Sequence, residues 1–429
     1  MTSRTPHPQL KRELGVWGAT LMGLGSIVGT GVFVSIGMAA GIAGPAVILA
    51  VAIGAMVATC NGLNSAQLAA THAVSGGTYE YGYKYLTPWL GFTAGWMFLL
   101  AKTASAATAA LGFAGYLLNV TGLSSTLVIP TALLAVVVLT FIVLNGIQRS
   151  NTANMVIVSI TLLSLAFFIL ACLPHAATVG IDNLTPFFTG DLGTVFHASA
   201  LMFVAYTGYG RIATMGEEAR EPTKTIPKAM IVCLVLTMLL YIAVAAVGIG
   251  AVGADVLGNA TGQTKTAPLE VAVRSVAGSG GAVVLAIGAM TAMLGVLLNL
   301  ILGLSRVLLA MGRRRDMPRF LARLNQQQTT PHWAVLVVGV AIAFLVLLGN
   351  VKTTWSFSAF NVLIYYAITN LAALRLPQTE RLYPQWIGWL GLASCLFLAF
   401  WVESSIWQFG LGLIIAGLIW HTIRQKAIA

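Results

Sequence analysis

The chain has 429 residues, 58% of them hydrophobic and only 8% charged, and its mean hydropathy is +0.88. A soluble domain must cover its surface with polar groups, and this sequence has too few of them, which excludes a water-soluble enzyme or binding module and makes a bilayer the expected solvent. The net charge of +11 does not indicate nucleic acid as a partner, because the basic residues are scattered among short connections and do not gather on one face.

In chain order, Met1 to Leu10 holds Pro and His but no apolar core and no small-residue cleavage site. It is therefore not read as a removable signal peptide, and residues 1–14 are expected to form a cytoplasmic segment. Apolar runs of about 20 residues, the length that crosses hydrocarbon, then recur twelve times, at 15–40, 45–70, 89–119, 126–146, 152–173, 193–216, 228–252, 281–311, 332–349, 354–375, 386–402 and 405–422. With the N-terminus inside, Lys265, Arg274 and Lys352 fall on the outer side and Lys102 within a span, while every other Lys and Arg is inside. This asymmetry predicts an even number of spans with both termini cytoplasmic, in a cell membrane. Cys60, Cys172, Cys233 and Cys395 lie in predicted spans without CxxC spacing and read as small packing residues.

Two spans carry glycine and small polar residues where a simple membrane helix would carry Leu or Ile. The first reads Gly23-Leu24-Gly25-Ser26-Ile27-Val28-Gly29-Thr30-Gly31-Val32-Phe33, and the sixth Phe203-Val204-Ala205-Tyr206-Thr207-Gly208-Tyr209-Gly210. Small residues also serve close helix packing. The two interruptions, however, open spans one and six, as in two inverted five-helix repeats with broken first helices. The expected architecture is an all-α integral membrane fold: a first repeat over 15–173, a second over 174–376, and two further helices with a cytoplasmic tail over 377–429.

At these residues the sequence resembles the amino acid-polyamine-organocation superfamily of permeases. Gly25 to Phe33 resembles the family's first-helix signature, and Ala43-Gly44-Pro45 the entry to its second helix. Ser75-Gly76-Gly77-Thr78-Tyr79-Glu80-Tyr81, with Gly91-Phe92 and Gly95-Trp96, resembles the inner loop and third helix. Phe203 to Gly210, with Glu217-Glu218 and Ile226-Pro227, resembles the sixth helix and its exit. Ser305-Arg306 and the run from Met317-Pro318 to Pro331 resembles the eighth helix and its loop. The resemblance covers about residues 15–376 and implies the leucine-transporter-like fold and transport of an amino acid by alternating access, with no cofactor.

Backbone groups freed inside hydrocarbon must be satisfied by protein, water or ligand, and they suit a zwitterion. Amides at Gly29, Thr30 and Gly31, at the start of the outer half-helix, favour the substrate carboxylate, with the Thr30 hydroxyl as an added donor. Carbonyls of Ile27, Val204, Ala205 and Thr207 are expected to hold the ammonium, and the family's use of matching positions supports both assignments. Ala106, Tyr206, Tyr209, Asn299, Phe360 and Asn361 are candidate pocket walls. All twelve acids lie at loops or span ends, so a neutral side chain is expected. Cationic exchange and sodium-coupled symport by the same fold stay open.

Lys102 lies 13 residues beyond Trp89, roughly 20 Å along span three at about 1.5 Å per residue. At that depth a lysine is either deprotonated by desolvation or held by polar groups, and is a candidate functional residue. Sodium-independent relatives in the superfamily carry a lysine in span five, where this chain has Val156 to Leu162 without one. Lys102 is expected to provide that cation beside broken helix one; the alternative is sodium between the carbonyls of Gly25 and Val28 and the Thr291 hydroxyl. Relatives place an acid where this chain has Gly210, so proton sensing there does not carry over. The basic run Gly312-Arg313-Arg314-Arg315-Asp316 is read as fixing orientation and meeting anionic lipid headgroups. Glu217 and Glu218 are candidates for inner-gate ion pairs with Arg306 or Lys84.

The six histidines are dispersed and show no metal spacing, against an integral membrane enzyme and against a metal site. No repeated filter or ring of charge marks a channel. The partners expected are a small amino acid and the lipid bilayer, with no nucleic acid, in a monomer or homodimer.

Overall fold

The computed structural model describes residues 15–72, 76–146, 151–213, 219–262, 266–325 and 330–426. Glu217, Glu218 and the N-terminal segment lie outside them. The described residues form helices and connecting turns with no sheet. Helix α1 spans Val16–Ile27, and after an interruption α2 covers Ile36–Ala43 and α3 Val47–Thr71. A short helix α4, Thr78–Tyr85, precedes α5, Pro88–Thr121, and α6, Val128–Leu144. Helix α7 runs from Asn151 to Leu184, well past the expected end at 173. Next come α8, Leu192–Tyr206, the single turn α9, Gly210–Ala213, α10, Pro222–Val252, and α11, Ala254–Asn259. Helix α12, Pro268–Arg313, bends at Gly278, whose φ of 71° separates a leading segment from the apolar run. Helices α13, His332–Leu347, α14, Val351–Leu374, α15, Gln385–Ala399, and α16, Ser404–Lys426, complete the chain.

Eight helical segments among the described residues are long and apolar enough to cross a membrane, and Val16–Ile27, His332–Leu347 and Gln385–Ala399 are shorter apolar helices. Burial sorts the long ones into a centre and a rim. The most apolar windows of α5 and α14 are each 72% buried, that of α16 only 17%. Large apolar side chains such as Leu163, Leu170, Val340 and Phe344 stand exposed, the reverse of a soluble surface and what lipid solvation requires.

Helix ends follow local chemistry. Asp191 caps α8 by accepting from the Thr194 amide at 3.0 Å, and Asn350 caps α14 by accepting from the Thr353 amide at 3.1 Å. Inside the bundle, polar side chains join helices that apolar contact alone would leave free to slide. Asn370 of α14 donates to Asn61 of α3 at 2.5 Å, and Asn64 donates to Asn370 at 2.7 Å. Asn61 also donates to the Cys395 sulfur of α15 at 3.1 Å. Cys395 is wholly buried, as expected of a small packing residue, and in addition meets an amide chain in the core.

On the face where α14 begins, Glu403, in the turn between α15 and α16, lies 3.4 Å from His197 Nε2 of α8 and 3.7 Å from Lys352 Nζ of α14. Burial alone would raise the Glu403 carboxyl, but the contact with His197 and the residue's own amide outweigh it and bring the carboxyl to about 2. A carboxyl lowered in the folded state adds stability that is full at neutral pH and is lost as the pH falls from about 4 toward 2. Glu403→Gln is therefore expected to lower the thermal unfolding temperature at neutral pH and to flatten its fall over that acid range. Parallel acid-induced losses in variant and wild type would show that Glu403 contributes nothing.

Candidate functional site

The first interruption is a true break. Val28 is extended, with ψ 104°, and closes α1 through its amide to the Leu24 carbonyl. Beyond Gly29 and Thr30 the chain re-enters as a widened π turn over Gly31–Ser35 before α2. Neighbours satisfy the loosened carbonyls: Ser35 donates to Gly31, and Tyr116 donates to Phe33 at 2.7 Å. The second interruption is gentler than expected. Between α8 and α9 the chain tightens into a 3₁₀ turn over Thr207–Tyr209 and does not unwind.

The two interruptions touch through their main chains. A Cβ on Gly208 would lie 2.2 Å from the Ser26 carbonyl oxygen, and one on Gly31 only 2.5 Å from Ala205 Cβ. Glycine is needed at both because no side chain fits between two backbones this close. Tyr241 of α10 joins them from the side: its hydroxyl lies 3.0 Å from the Ile27 carbonyl and 3.3 Å from the Ala205 carbonyl. Tyr366 of α14 donates to the Thr207 carbonyl at 3.3 Å.

A cavity of about 990 Å³ extends from the interruptions toward Arg306, Arg313 and Arg314 at the exposed end of α12. Ile27, Thr30, Gly31, Val204, Ala205 and Thr207 line it, as expected, and so do Lys102 and Asn299. The Thr30 hydroxyl is buried and has no hydrogen-bond partner among the described residues. Apart from intrahelical pairing, the amides of Gly29, Thr30 and Gly31 donate to no backbone acceptor among the described residues. A buried hydroxyl without a partner, beside the start of a helical segment, is what an anionic group would satisfy.

Four expected contributors are not on the cavity wall. Gly29 is turned toward Val296 of α12. Ala106 is wholly buried one turn beyond Lys102 and does not line the cavity, whose α5 wall is made by Phe98, Lys102 and Ser105. Tyr206 points away, its hydroxyl donating to the Val51 carbonyl at 3.3 Å and its ring against Tyr241. Phe360 packs against Phe400 and on Gly410 of α16. Of the other two wall candidates, Tyr209 lies against Tyr366, and Asn361 donates to the Phe357 carbonyl at 2.6 Å. The helical phase that carries each of them away from the cavity depends on the rotation of its helix in the bundle, which spacing alone does not specify. In their place Trp355, Tyr365 and Tyr366 of α14 and Ser105 of α5 line the cavity. The aromatic run of α14 was the available signal for the first three.

Lys102 is buried, and its Nζ donates to the Thr207 hydroxyl at 2.8 Å; that hydroxyl in turn donates to the Val204 carbonyl at 2.8 Å. The lysine therefore reaches the second interruption, not the first as expected. Thr291 donates to the Ile287 carbonyl of its own helix at 2.7 Å and does not line the cavity. Gly25 faces Asn154 and Val158 of α7. At the mouth, Glu80 pairs with Arg314 at 2.5 Å, and Lys84 contacts His72 Nδ1 at 3.0 Å. No group of three or more potential metal-binding side chains occurs among the described residues.

A multi-pass helical bundle with a central cavity at paired helix interruptions defines a membrane transporter, not an enzyme. The sequence model of amino acid permeases matches residues 18–426, and the chain belongs to that family. It is 38% identical over 424 residues to an uncharacterised transporter of Mycobacterium tuberculosis, covering 97% of this chain and 92% of the other. It is 28% identical over 448 residues to the branched-chain amino acid permease BcaP of Bacillus subtilis (97% and 94% covered), and 28% identical over 412 residues to cationic amino acid transporter 5 of Arabidopsis thaliana (93% and 70%).

Proposed function

We propose that this permease carries an amino acid with an uncharged side chain by alternating access, without sodium and coupled to protons through Lys102. In this reading α1 to α16 make up twelve spans. Ten of them form a five-plus-five inverted repeat whose first members are interrupted, and α15 and α16 are the two additions. The protein resides in the cell membrane with both termini in the cytoplasm, and the cavity opens inward.

One observation carries the reading. The Thr30 hydroxyl, without a hydrogen-bond partner among the described residues, belongs to a cavity wall shared by Gly31, Ile27, Val204, Ala205 and Thr207, which brings main-chain and hydroxyl groups suited to a zwitterion to one cavity. Among the described residues the only acid on the cavity wall is Glu80, which sits at the mouth in a pair with Arg314. A cationic side chain held deep in the cavity would lack the partner that a desolvated charge requires. The branched-chain permease among the relatives fits this choice, whereas the cationic transporters do not.

The purified protein in liposomes is expected to show saturable, stereoselective counterflow of neutral amino acids, undiminished when choline replaces sodium and not inhibited by excess arginine. Counterflow of arginine in preference to every neutral amino acid would overturn the substrate class, and steady single-channel currents would overturn the carrier.

A further inference from the structure

Outside the cavity, four elements converge on one carboxylate. Asp316, in the turn after α12, is fully buried. Its Oδ2 accepts from Tyr79 at 2.6 Å and from Tyr83 at 2.7 Å, residues one helical turn apart on α4. From α16, Trp420 donates to the Asp316 carbonyl at 2.9 Å, and the Arg424 guanidinium reaches the carbonyls of Arg315 and Met317. His421 of α16, stacked on Phe92 of α5 at 4.7 Å, places Nδ1 3.4 Å from Oδ1. Neither Oδ1 nor Nδ1 has a hydrogen-bond partner.

Helix α4 thus has two working faces. Gly77, Thr78, Glu80 and Tyr81 line the cavity mouth, while Tyr79 and Tyr83 grip Asp316. Whatever holds Asp316 also sets the position of that wall. Two neutral hydroxyls satisfy one oxygen of the carboxylate, and its other oxygen, without a hydrogen-bond partner among the described residues, lies 3.4 Å from the imidazole.

We infer that Asp316 is a positioning residue for the cavity mouth, and that His421 makes its hold on α4 proton-dependent. When His421 takes a proton, the 3.4 Å contact becomes a charge-assisted hydrogen bond, and α16, the turn after α12 and α4 tighten into one body. The other charged and titratable groups around the pair are accounted for. Arg314 lies over the rings of Tyr83 and Tyr79 and pairs with Glu80, Arg424 is held by backbone carbonyls, and Arg315 is exposed. The face of α5 against His421 presents the apolar Phe92. Tyr79 and Tyr83 are driven by burial, and next by the Asp316 hydrogen bond, above the ordinary tyrosine range, so both stay neutral donors.

The test is amide hydrogen exchange of residues 78–85 in the full-length protein at about pH 8 and about pH 5.5, corrected for the intrinsic pH dependence. Wild-type protection is expected to rise about tenfold on acidification, the size of a new hydrogen bond to a charged group. His421→Gln and Asp316→Asn abolish the rise, whereas Tyr83→Phe, which removes one donor but leaves the pair, retains it. A flat wild-type response, or an equal rise in His421→Gln, overturns the inference. A second readout, resting on the carrier reading, is transport. With the interior held at about pH 5.5, His421→Gln changes the maximal rate of counterflow and leaves the half-saturating concentration alone. Exchange is measured without substrate, so failure of the carrier reading leaves the first readout intact.

Discussion

Lys102→Ala is expected to abolish uptake driven by a proton gradient while leaving counterflow measurable. The lysine gives its proton to a hydrogen bond with Thr207, and Thr207 spends its own on the Val204 carbonyl. On loss of that proton the amine becomes an acceptor, Thr207 can turn toward it, and the Val204 carbonyl is released to the substrate ammonium. A proton on Lys102 and a substrate in the cavity then compete for one hydroxyl and one carbonyl, the differential contact that coupling requires. Removing a charge-assisted hydrogen bond worth about 3 kcal/mol predicts a loss of about 100-fold in the gradient-driven rate. The measurement is concentrative uptake into proteoliposomes with an imposed pH step, alongside counterflow at equal pH. Undiminished accumulation by the alanine variant would remove Lys102 from the mechanism.

A single methyl group at Gly208 is expected to eliminate transport. Its Cβ would meet the Ser26 carbonyl oxygen at 2.2 Å and the Ile27 amide nitrogen at 2.6 Å. Both are main-chain atoms at the break, which cannot swing aside as a side chain would. The two interruptions must separate, which parts the donors at Thr30 from the acceptors at Ala205 and Thr207. Overpacking of this kind costs about 1–3 kcal/mol, visible as a lower unfolding temperature in detergent, with loss of stabilisation by substrate. Gly303→Ala is the control: Gly303 lines the same cavity, yet nothing lies within 4 Å of its added Cβ. Substrate binding by Gly208→Ala at wild-type strength would mean that the contact between the two interruptions is not what builds the site.

Much of the fold was legible because a bilayer enforces simple rules. Apolar runs of spanning length, polar connections and the asymmetry of Lys and Arg need no knowledge of tertiary contacts, and the family resemblance read from Gly25 to Phe33 and Phe203 to Gly210 agrees with the family match. The break in the first span was also legible, since a run of glycines and small hydroxyl residues at mid-depth in two corresponding spans is more than packing requires. Phe360, Ala106 and Tyr206 lie off the cavity wall for a common reason. Each lies on a helix known to border the cavity, but which side of that helix faces inward depends on rotations of a few tens of degrees set by packing. Tyr241 left no signal at all. Nothing near it in the chain shows that its hydroxyl stands between two carbonyls contributed by α1 and α8.

By itself, then, the sequence determined the solvent, the helical class, the location of the interruptions and the presence of a lysine too deep to snorkel. Those are properties of composition and local order, and hydrocarbon penalises every alternative. Tertiary structure alone decided that Lys102 answers to the second interruption, that Gly208 and Gly31 bring two backbones into contact, and that α16 reaches back to a buried carboxylate beside the cavity mouth. Each of these joins residues more than 100 positions apart, 105 from Lys102 to Thr207 and 104 from Trp420 to Asp316, and a short-range pattern carries no information about which distant helix its side chains will meet.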